Sequence, residues 1–241
     1  MKLTDFKVLT FDCYGTLIDW ESGIWTALQP LLAASGLTLG RDAALEAFAA
    51  RESAQEAATP GLLYRDLLVA VHGQLAEDWS VDAAPETHAR FGASVPDWPA
   101  FSDSVAALQY LKQHYKLVIL SNVDRAGFAG SNERLQVDFD AVYTAEDIGS
   151  YKPTAHNFEY LLAHLKADLG LEQADILHTA QSLFHDHAPA CDFGLATAWI
   201  DRRHEQDGWG ATMPPPGEVQ VDFHFTSMAD MAAAHRAVLG S

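Results

Sequence analysis

Short apolar runs alternate with longer helical patterns along most of this chain, and this alternation constrains the fold more than any other feature. Each run is short enough for a strand, and most are followed by apolar residues at the spacing of one helix face. The runs cover residues 7–12, 117–121, 141–145, 176–180, 195–200 and 219–225. Strands that alternate with helices are typical of βαβ units. The sequence therefore predicts an α/β fold with a mostly parallel sheet.

Helical spacing fills the segments between these runs. It predicts helices over residues 104–115, 155–168 and 186–193. Ser227 stands three residues before Asp230, in the pattern of a capping box, and so predicts the start of a last helix. The run at 219–225 alternates apolar and polar residues, as a half-exposed edge strand does.

A long interruption separates the first two predicted strands. One crossover between parallel strands needs about a dozen residues, whereas this stretch runs from about residue 16 to residue 116 and is rich in Ala and Leu. We interpret residues 17–97 as a helical insertion, with residues 1–16 and 98–241 forming the sheet core. Pro96 and Pro99 would mark the return of the chain to the sheet.

The balance of charge excludes two classes of partner. The 241 residues include 15 Lys and Arg against 33 Asp and Glu, a net charge of −18. The cations are scattered, so no basic stripe is available for a nucleic acid or an anionic membrane. Cys13 and Cys191 form no disulfide framework, and the first residues lack the apolar stretch of a signal peptide. We expect a cytoplasmic protein.

Reactive side chains follow four of the predicted strands. Because ligands bind beyond the carboxyl ends of the strands in a parallel sheet, these residues are expected to meet at one edge. They are Asp12 and Thr16 after the first strand, Ser121 and Asn122 at the second, Lys152 after the third, and Gln181, His185 and Asp186 after the fourth. Two carboxylates, an ammonium group and hydroxyls at one edge form the inventory of a reactive site.

The order of these segments resembles the haloacid dehalogenase superfamily. The stretch 11–17, Phe-Asp-Cys-Tyr-Gly-Thr-Leu, is similar to its first motif. Ser121-Asn122 matches the second motif, Lys152-Pro153 the third, and residues 181–186 the fourth in spacing. The resemblance implies a Rossmann-like core with an inserted helical cap. It is closest to the 2-haloacid dehalogenase branch.

Two positions favour carbon chemistry over phosphate chemistry within that superfamily. Its phosphatases usually carry a second Asp two residues after the nucleophile, where this chain has Tyr14, a poor acid at neutral pH. They also usually hold Mg²⁺ with an acidic residue where this chain has Gln181, and Mg²⁺ prefers anionic oxygen ligands. A halide leaves without a proton. We therefore predict a hydrolase that needs no metal or other cofactor.

The resemblance implies a role for each motif residue. Asp12 would be the nucleophile that forms an ester with the substrate, Lys152 would keep it ionised, and Asp186 would handle the water. Oxyanion, carboxylate or halide contacts are expected from a further set: Thr16, Ser121, Asn122, Tyr14, Gln181 and His185.

The family also uses a cap arginine to bind the leaving halide. Arg51 is the best candidate by position, with Arg41 and Arg65 as competitors. The sequence departs from the branch at Leu183, where an Asn is usual, and at Phe158, where a Tyr is usual. Gln181, His185 or His187 would have to compensate.

The leading hypothesis is hydrolytic dehalogenation of short 2-haloalkanoic acids to 2-hydroxy acids, with haloacetates, 2-halopropionates and fluoroacetate as the candidate substrates. The substrate would be a small anion bound between core and cap, and a homodimer is suggested by the resemblance alone. One alternative is a Mg²⁺-dependent phosphatase acting on small molecules. The other is a binding module without catalytic activity, which the changes at Leu183 and Phe158 motivate.

Overall fold

The computed structural model describes residues 1–240 and contains one six-stranded sheet. All neighbouring strands are parallel, in the order β3-β2-β1-β4-β5-β6. The strands are β1 Val8–Phe11, β2 Lys116–Ser121, β3 Ala141–Thr144, β4 Ile176–Ala180, β5 Ala196–Ile200 and β6 Phe223–Phe225. The predicted parallel α/β sheet is confirmed. Since β1 lies at the centre, where the strand order reverses direction, the edge beyond it is the usual ligand position.

Ten α-helices accompany the sheet within residues 1–240. The first four lie between β1 and β2: α1 Trp20–Ser35, α2 Arg41–Ala58, α3 Tyr64–Asp78 and α4 Pro85–Gly92. The others are α5 Ser104–Leu111, α6 Arg125–Leu135, α7 Ala145–Ile148, α8 Ala155–Leu169, α9 Ala188–Asp192 and α10 Met228–Leu239. The stretch predicted as a cap is thus mainly helical. Its boundaries at 17 and 97 stay a prediction.

Buried apolar side chains explain why the sheet forms at its centre. All four residues of β1 are buried, as are the last five of β2 and all five of β4. Strands that are covered on both faces usually consist of nearly continuous apolar residues, and β1, β2 and β4 follow this pattern. Two polar residues of β4, His178 and Thr179, are also fully buried, and the His178 ring therefore needs hydrogen-bond partners.

Three predicted elements differ from the observed ones. The edge strand covers only residues 223–225. It is short because the Asp222 side chain accepts a hydrogen bond from the Thr197 N–H, a backbone donor that a longer strand would pair with a carbonyl. The helix predicted to reach residue 115 ends at Leu111, where turn hydrogen bonds lead the chain into β2. The helix predicted at 186–193 begins earlier, with the π-helix Leu183–His187 before α9.

Ser227 caps the last helix as predicted, since its hydroxyl accepts the N–H of Asp230 at 3.0 Å. Cys13 and Cys191 are both free thiols. Within residues 1–240, no helix is both long and apolar enough to cross a membrane.

Candidate active site

The ammonium group of Lys152 joins two carboxylates at the carboxyl edge of the sheet. Its Nζ donates to Asp12 Oδ1 at 3.0 Å, to Asp186 Oδ1 at 2.7 Å and to the Leu120 carbonyl at 3.0 Å. Lys152 and Asp186 are almost fully buried, and Asp12 is 7% exposed. An ammonium group has three N–H bonds, so Lys152 is completely satisfied by these three acceptors.

A second set of hydrogen bonds orients Asp12. Thr16 Oγ1 donates to Asp12 Oδ2 at 2.7 Å and accepts the backbone N–H of Gln181 at 2.9 Å. Both carboxylate oxygens of Asp12 therefore have a fixed donor. The loop after β1 folds tightly, since Gly15 has a φ of +94° and its N–H donates to the Ile18 carbonyl.

The π-helix after β4 brings the fourth predicted segment to the same place. Ser182 Oγ accepts the N–H of His185, and the Ser182 carbonyl accepts the N–H bonds of both Asp186 and His187. This wide turn places Asp186 Oδ1 within hydrogen-bond distance of Lys152 Nζ and of His178 Nε2. The distance from Asp186 Oδ1 to His178 Nε2 is 3.0 Å. Asp186 Oδ2 is buried and has no hydrogen-bond partner within residues 1–240.

Burial and mutual charge set the protonation of this cluster. Burial would lower the pKa of Lys152, but the carboxylates of Asp12 and Asp186 raise it above its usual value. Burial would raise the pKa of Asp186, yet Lys152 and His178 hold it well below the usual range. Burial raises the pKa of Asp12 against the pull of Lys152, and the charge of Asp186 adds to the rise. Asp186 is therefore the more firmly ionised of the two carboxylates.

A small cavity of about 30 Å³ adjoins this cluster. It is lined by several predicted site residues: Asp12, Tyr14, Ser121, Asn122, Lys152, His185 and Asp186. Its volume limits a ligand to a small molecule. The cavity is the candidate active site.

Asn122 and Ser121 lie on the wall next to Lys152. Asn122 Oδ1 accepts the backbone N–H of Lys152 at 2.7 Å, and its Nδ2 donates to the Lys152 carbonyl at 3.1 Å. Asn122 thereby fixes the loop that carries the lysine. Ser121 Oγ is fully buried and has no partner within residues 1–240, so it is free for a ligand.

Three predicted contact residues have their polar groups engaged elsewhere or lie outside the cavity lining. Tyr14 lines the cavity, but its hydroxyl shares a hydrogen bond with Ser131 Oγ at 2.8 Å, and burial raises its pKa well above the usual value. The side chain of Gln181 is not part of the cavity lining; its backbone N–H holds Thr16 instead. Thr16 is likewise behind Asp12 rather than in the cavity wall.

The structure does not bring Arg51 to the site. Its guanidinium pairs with Asp78 on the outer surface of α2 and α3, and 43% of its side chain is exposed. The competitors are also elsewhere: Arg41 donates to Ser22, and Arg65 lies 3.6 Å from Asp66 in an exposed pair. Within residues 1–240, Lys152 is the one cationic side chain among the cavity-lining residues.

Two glutamates from the cap segment occupy the cavity wall, and sequence reasoning missed them. Glu52 and Glu56 on α2 are 3% and 6% exposed, and both line the cavity. Their i, i+4 spacing places them on one helix face, which is a signal that the sequence contained. Tyr64 of α3 donates its hydroxyl to Glu52 Oε1 at 2.5 Å.

His178 is the other missed residue. Its Nδ1 lies 2.9 Å from Thr10 Oγ1, its Nε2 bonds Asp186, and its ring packs edge-on against Phe158. Phe158, which replaces the usual Tyr, thus supports the partner of Asp186. A histidine inside a mainly apolar strand was the available signal.

Comparison with known proteins defines the class of this chain. Residues 6–178 match the family model of the haloacid dehalogenase-like hydrolases. The chain therefore belongs to this family of hydrolases. No curated protein matches it in a sequence search.

Solved structures agree on the fold. One defluorinating L-2-haloacid dehalogenase has a TM-score of 0.77 and 21% identity, with 98% of both chains covered. The L-2-haloacid dehalogenase of Xanthobacter autotrophicus has a TM-score of 0.76 and 17% identity, covering 96% of this chain and 99% of that one. A second structure of the Xanthobacter autotrophicus enzyme, with chloropropionic acid covalently bound, has a TM-score of 0.74 and 16% identity. The match covers 96% of this chain and 98% of that one.

Proposed function

We propose that this hydrolase breaks the carbon–halogen bond of a short 2-halo carbonyl compound through an ester on Asp12. This class includes the haloacetates, the 2-halopropionates and fluoroacetate of the sequence prediction. The observation that carries the proposal is Asp12 itself, which lines the cavity while Lys152 and Thr16 fix both of its oxygens. A carboxylate held in this way is an oriented nucleophile.

In the first step, an oxygen of Asp12 attacks the carbon that carries the halogen. The carbon–halogen bond breaks, and the halide leaves with the electron pair. Lys152 remains positively charged beside the reacting carboxylate and favours its ionised form. The neighbouring carbonyl group of the substrate makes this carbon more reactive. The unpaired hydroxyl of Ser121 is placed to donate a hydrogen bond to the oxygen of that carbonyl group.

In the second step, water attacks the carbonyl carbon of the Asp12 ester. The acyl–oxygen bond breaks, a 2-hydroxy product leaves, and the carboxylate is regenerated with release of one proton. Asp186 Oδ2 is unpaired and lines the same cavity, so it is positioned to accept a hydrogen bond from this water. His185 is a neutral neighbour, because burial lowers its pKa to about 4.

The environment of Tyr14 favours a leaving group that needs no proton. Its hydroxyl is engaged with Ser131, and its pKa is raised by burial, so it does not replace the acid of the phosphatases. Two observations also support a reaction without Mg²⁺. Residues 1–240 contain no group of three or more His, Cys, Asp or Glu arranged around a metal position, and the Gln181 side chain is outside the cavity. The cytoplasmic location and the homodimer stay predictions.

Halide release tests this proposal directly. The parent protein should release halide from at least one of the chloro- and bromo-substituted acetates, propionates and acetamides, with or without a chelator. The Asp12→Asn variant should fold normally. It should release at most one halide per protein molecule, because it cannot turn over. Mg²⁺-dependent phosphate release without any halide release would contradict the proposal.

A further inference from the structure

The wall of the cavity that α2 contributes is acidic. Glu52 and Glu56 stand one helical turn apart, almost fully buried, and both reach the cavity that contains Asp12. The arginine expected from this helix, Arg51, is the neighbour of Glu52 in sequence, and it points to Asp78 at the surface. The helix therefore presents acceptor oxygens where a cation was expected.

Among the described residues, no cation pairs directly with these two side chains, although Lys152 pulls the pKa of Glu56 down from a distance. Within residues 1–240, neither glutamate forms an ion pair with Lys or Arg. Glu56 Oε1 accepts from Asn122 Nδ2 at 3.0 Å, and its Oε2 lies 3.8 Å from His185 Nε2. Burial raises the pKa of Glu56 well above its usual value and that of Glu52 to about 8. In either protonation state they supply carboxyl oxygens and no positive charge.

Two further groups favour a polar ligand in the cavity. Ser121 Oγ and His185 Nε2 are buried atoms without a hydrogen-bond partner within residues 1–240, and both residues line the cavity. Nearly all buried polar groups in folded proteins have partners. A ligand with polar atoms of its own would satisfy both groups and the carboxyl oxygens of the glutamates.

The charge of the cavity discriminates between ligands of the same shape. A substrate carboxylate would add a buried negative charge next to Asp12 and Asp186, and the single ammonium of Lys152 already serves both. A buried charge without a partner is costly. A carboxamide has nearly the same shape, carries no charge and offers two N–H donors to acceptor oxygens.

We propose that Glu52 and Glu56 select uncharged carboxamides, so that the substrate of this site is a short 2-haloalkanamide rather than a 2-haloalkanoic acid. The amide N–H groups of the substrate donate hydrogen bonds to the glutamate oxygens. The Ser121 hydroxyl donates a hydrogen bond to the amide carbonyl. The chemistry rests on the function proposed above: Asp12 displaces the halide, water cleaves the ester, and the product is a 2-hydroxyalkanamide. The amide bond is not broken, and one proton passes to solvent with the halide.

Turnover of a matched pair of substrates tests this selection. Chloroacetamide and chloroacetate differ in charge but hardly in size. The parent should favour chloroacetamide in kcat/KM by roughly tenfold or more, the factor expected from about 1.4 kcal/mol. Glu56→Gln should narrow the ratio severalfold by improving chloroacetate. Glu46→Gln makes the same substitution at an exposed position of α2 and should leave the ratio unchanged.

Binding of the unreactive products separates the two proposals. In a ligand-observed NMR titration of the parent, glycolamide should bind more tightly than glycolate, and Glu56→Gln should reduce the difference. Tighter binding of glycolate, or faster turnover of chloroacetate, would overturn the selection of amides while leaving the Asp12 ester intact. Preferential binding of glycolamide without halide release from any substrate would support the selection and contradict the proposed chemistry.

Discussion

At the scale of single residues, Lys152 is the group on which the site depends. All three of its N–H bonds are used inside the protein, and two of them neutralise buried carboxylates. Its removal would leave Asp12 and Asp186 facing each other without compensation. Breaking a buried pair in this way costs about 3–5 kcal/mol of folding free energy, in addition to the loss of an oriented nucleophile.

We therefore predict that Lys152→Met lowers halide release by roughly 100-fold or more, the order found when a charge-stabilising donor is removed. Arg51→Ala is the matched control, because its guanidinium is on the surface with Asp78. It should keep activity within about twofold and leave stability nearly unchanged. Circular dichroism of both variants checks that they are folded. Equal losses in the two variants would mean that Arg51 reaches the site.

The residues of the core motifs could be anticipated from the sequence, because each stands at or after a strand end, where the sheet geometry fixes its position. Asp12, Lys152 and Asp186 meet for this reason. Arg51 could not be placed in the same way. Neighbouring residues of a helix point about 100° apart, so an error of one position separates Arg51 on the surface from Glu52 in the cavity.

At the scale of elements, α2 carries a destabilising feature, because two of its glutamates are buried one helical turn apart. Its Glu52 is buried and accepts the Tyr64 hydroxyl, with the second glutamate, Glu56, one turn away. Burial raises the pKa of Glu52 from 4.5 to about 8, against the hydrogen bond from Tyr64, which lowers it. A folded-state pKa above the unfolded one means that stability is fully present below about pH 4.5 and is lost as pH rises toward 8.

Replacement of Glu52 by Gln keeps an acceptor for Tyr64 and removes the ionisation. We predict that Glu52→Gln melts at a higher temperature than the parent, by at least ~2 °C at pH 8, with a smaller difference at pH 5. Thermal unfolding at pH 5, 6.5 and 8 measures this. Glu46→Gln, exposed on the same helix, should show no such trend. A difference that does not change with pH would contradict the assigned burial of Glu52.

The strands were predictable because buried parallel strands have continuous apolar runs, and the errors fall at element ends. The edge strand is short because Asp222 takes over a backbone N–H with its side chain. The π-helix at Leu183–His187 depends on how Ser182 binds several backbone groups at once. Competition of this kind between side chain and backbone is not visible in apolar periodicity.

At the scale of the whole molecule, the net charge of −18 and the acidic cavity act in the same direction. Both disfavour a small anion, one at long range and the other on contact. The parallel sheet was predictable from the alternation of strands and helices. The cavity was not, since it is formed where α2 and α3 meet the sheet edge and depends on packing between segments far apart in sequence.

The central claim is a covalent ester on Asp12, and one turnover in heavy-oxygen water tests it most directly. With protein in excess over chloroacetamide or chloroacetate, the released hydroxy compound should carry ordinary oxygen, donated by Asp12. The peptide that contains residue 12 should gain the heavy isotope, and mass spectrometry should locate it on Asp12. Heavy oxygen in the first-turnover product, with none in Asp12, would show that water attacks the substrate directly and would contradict the claim.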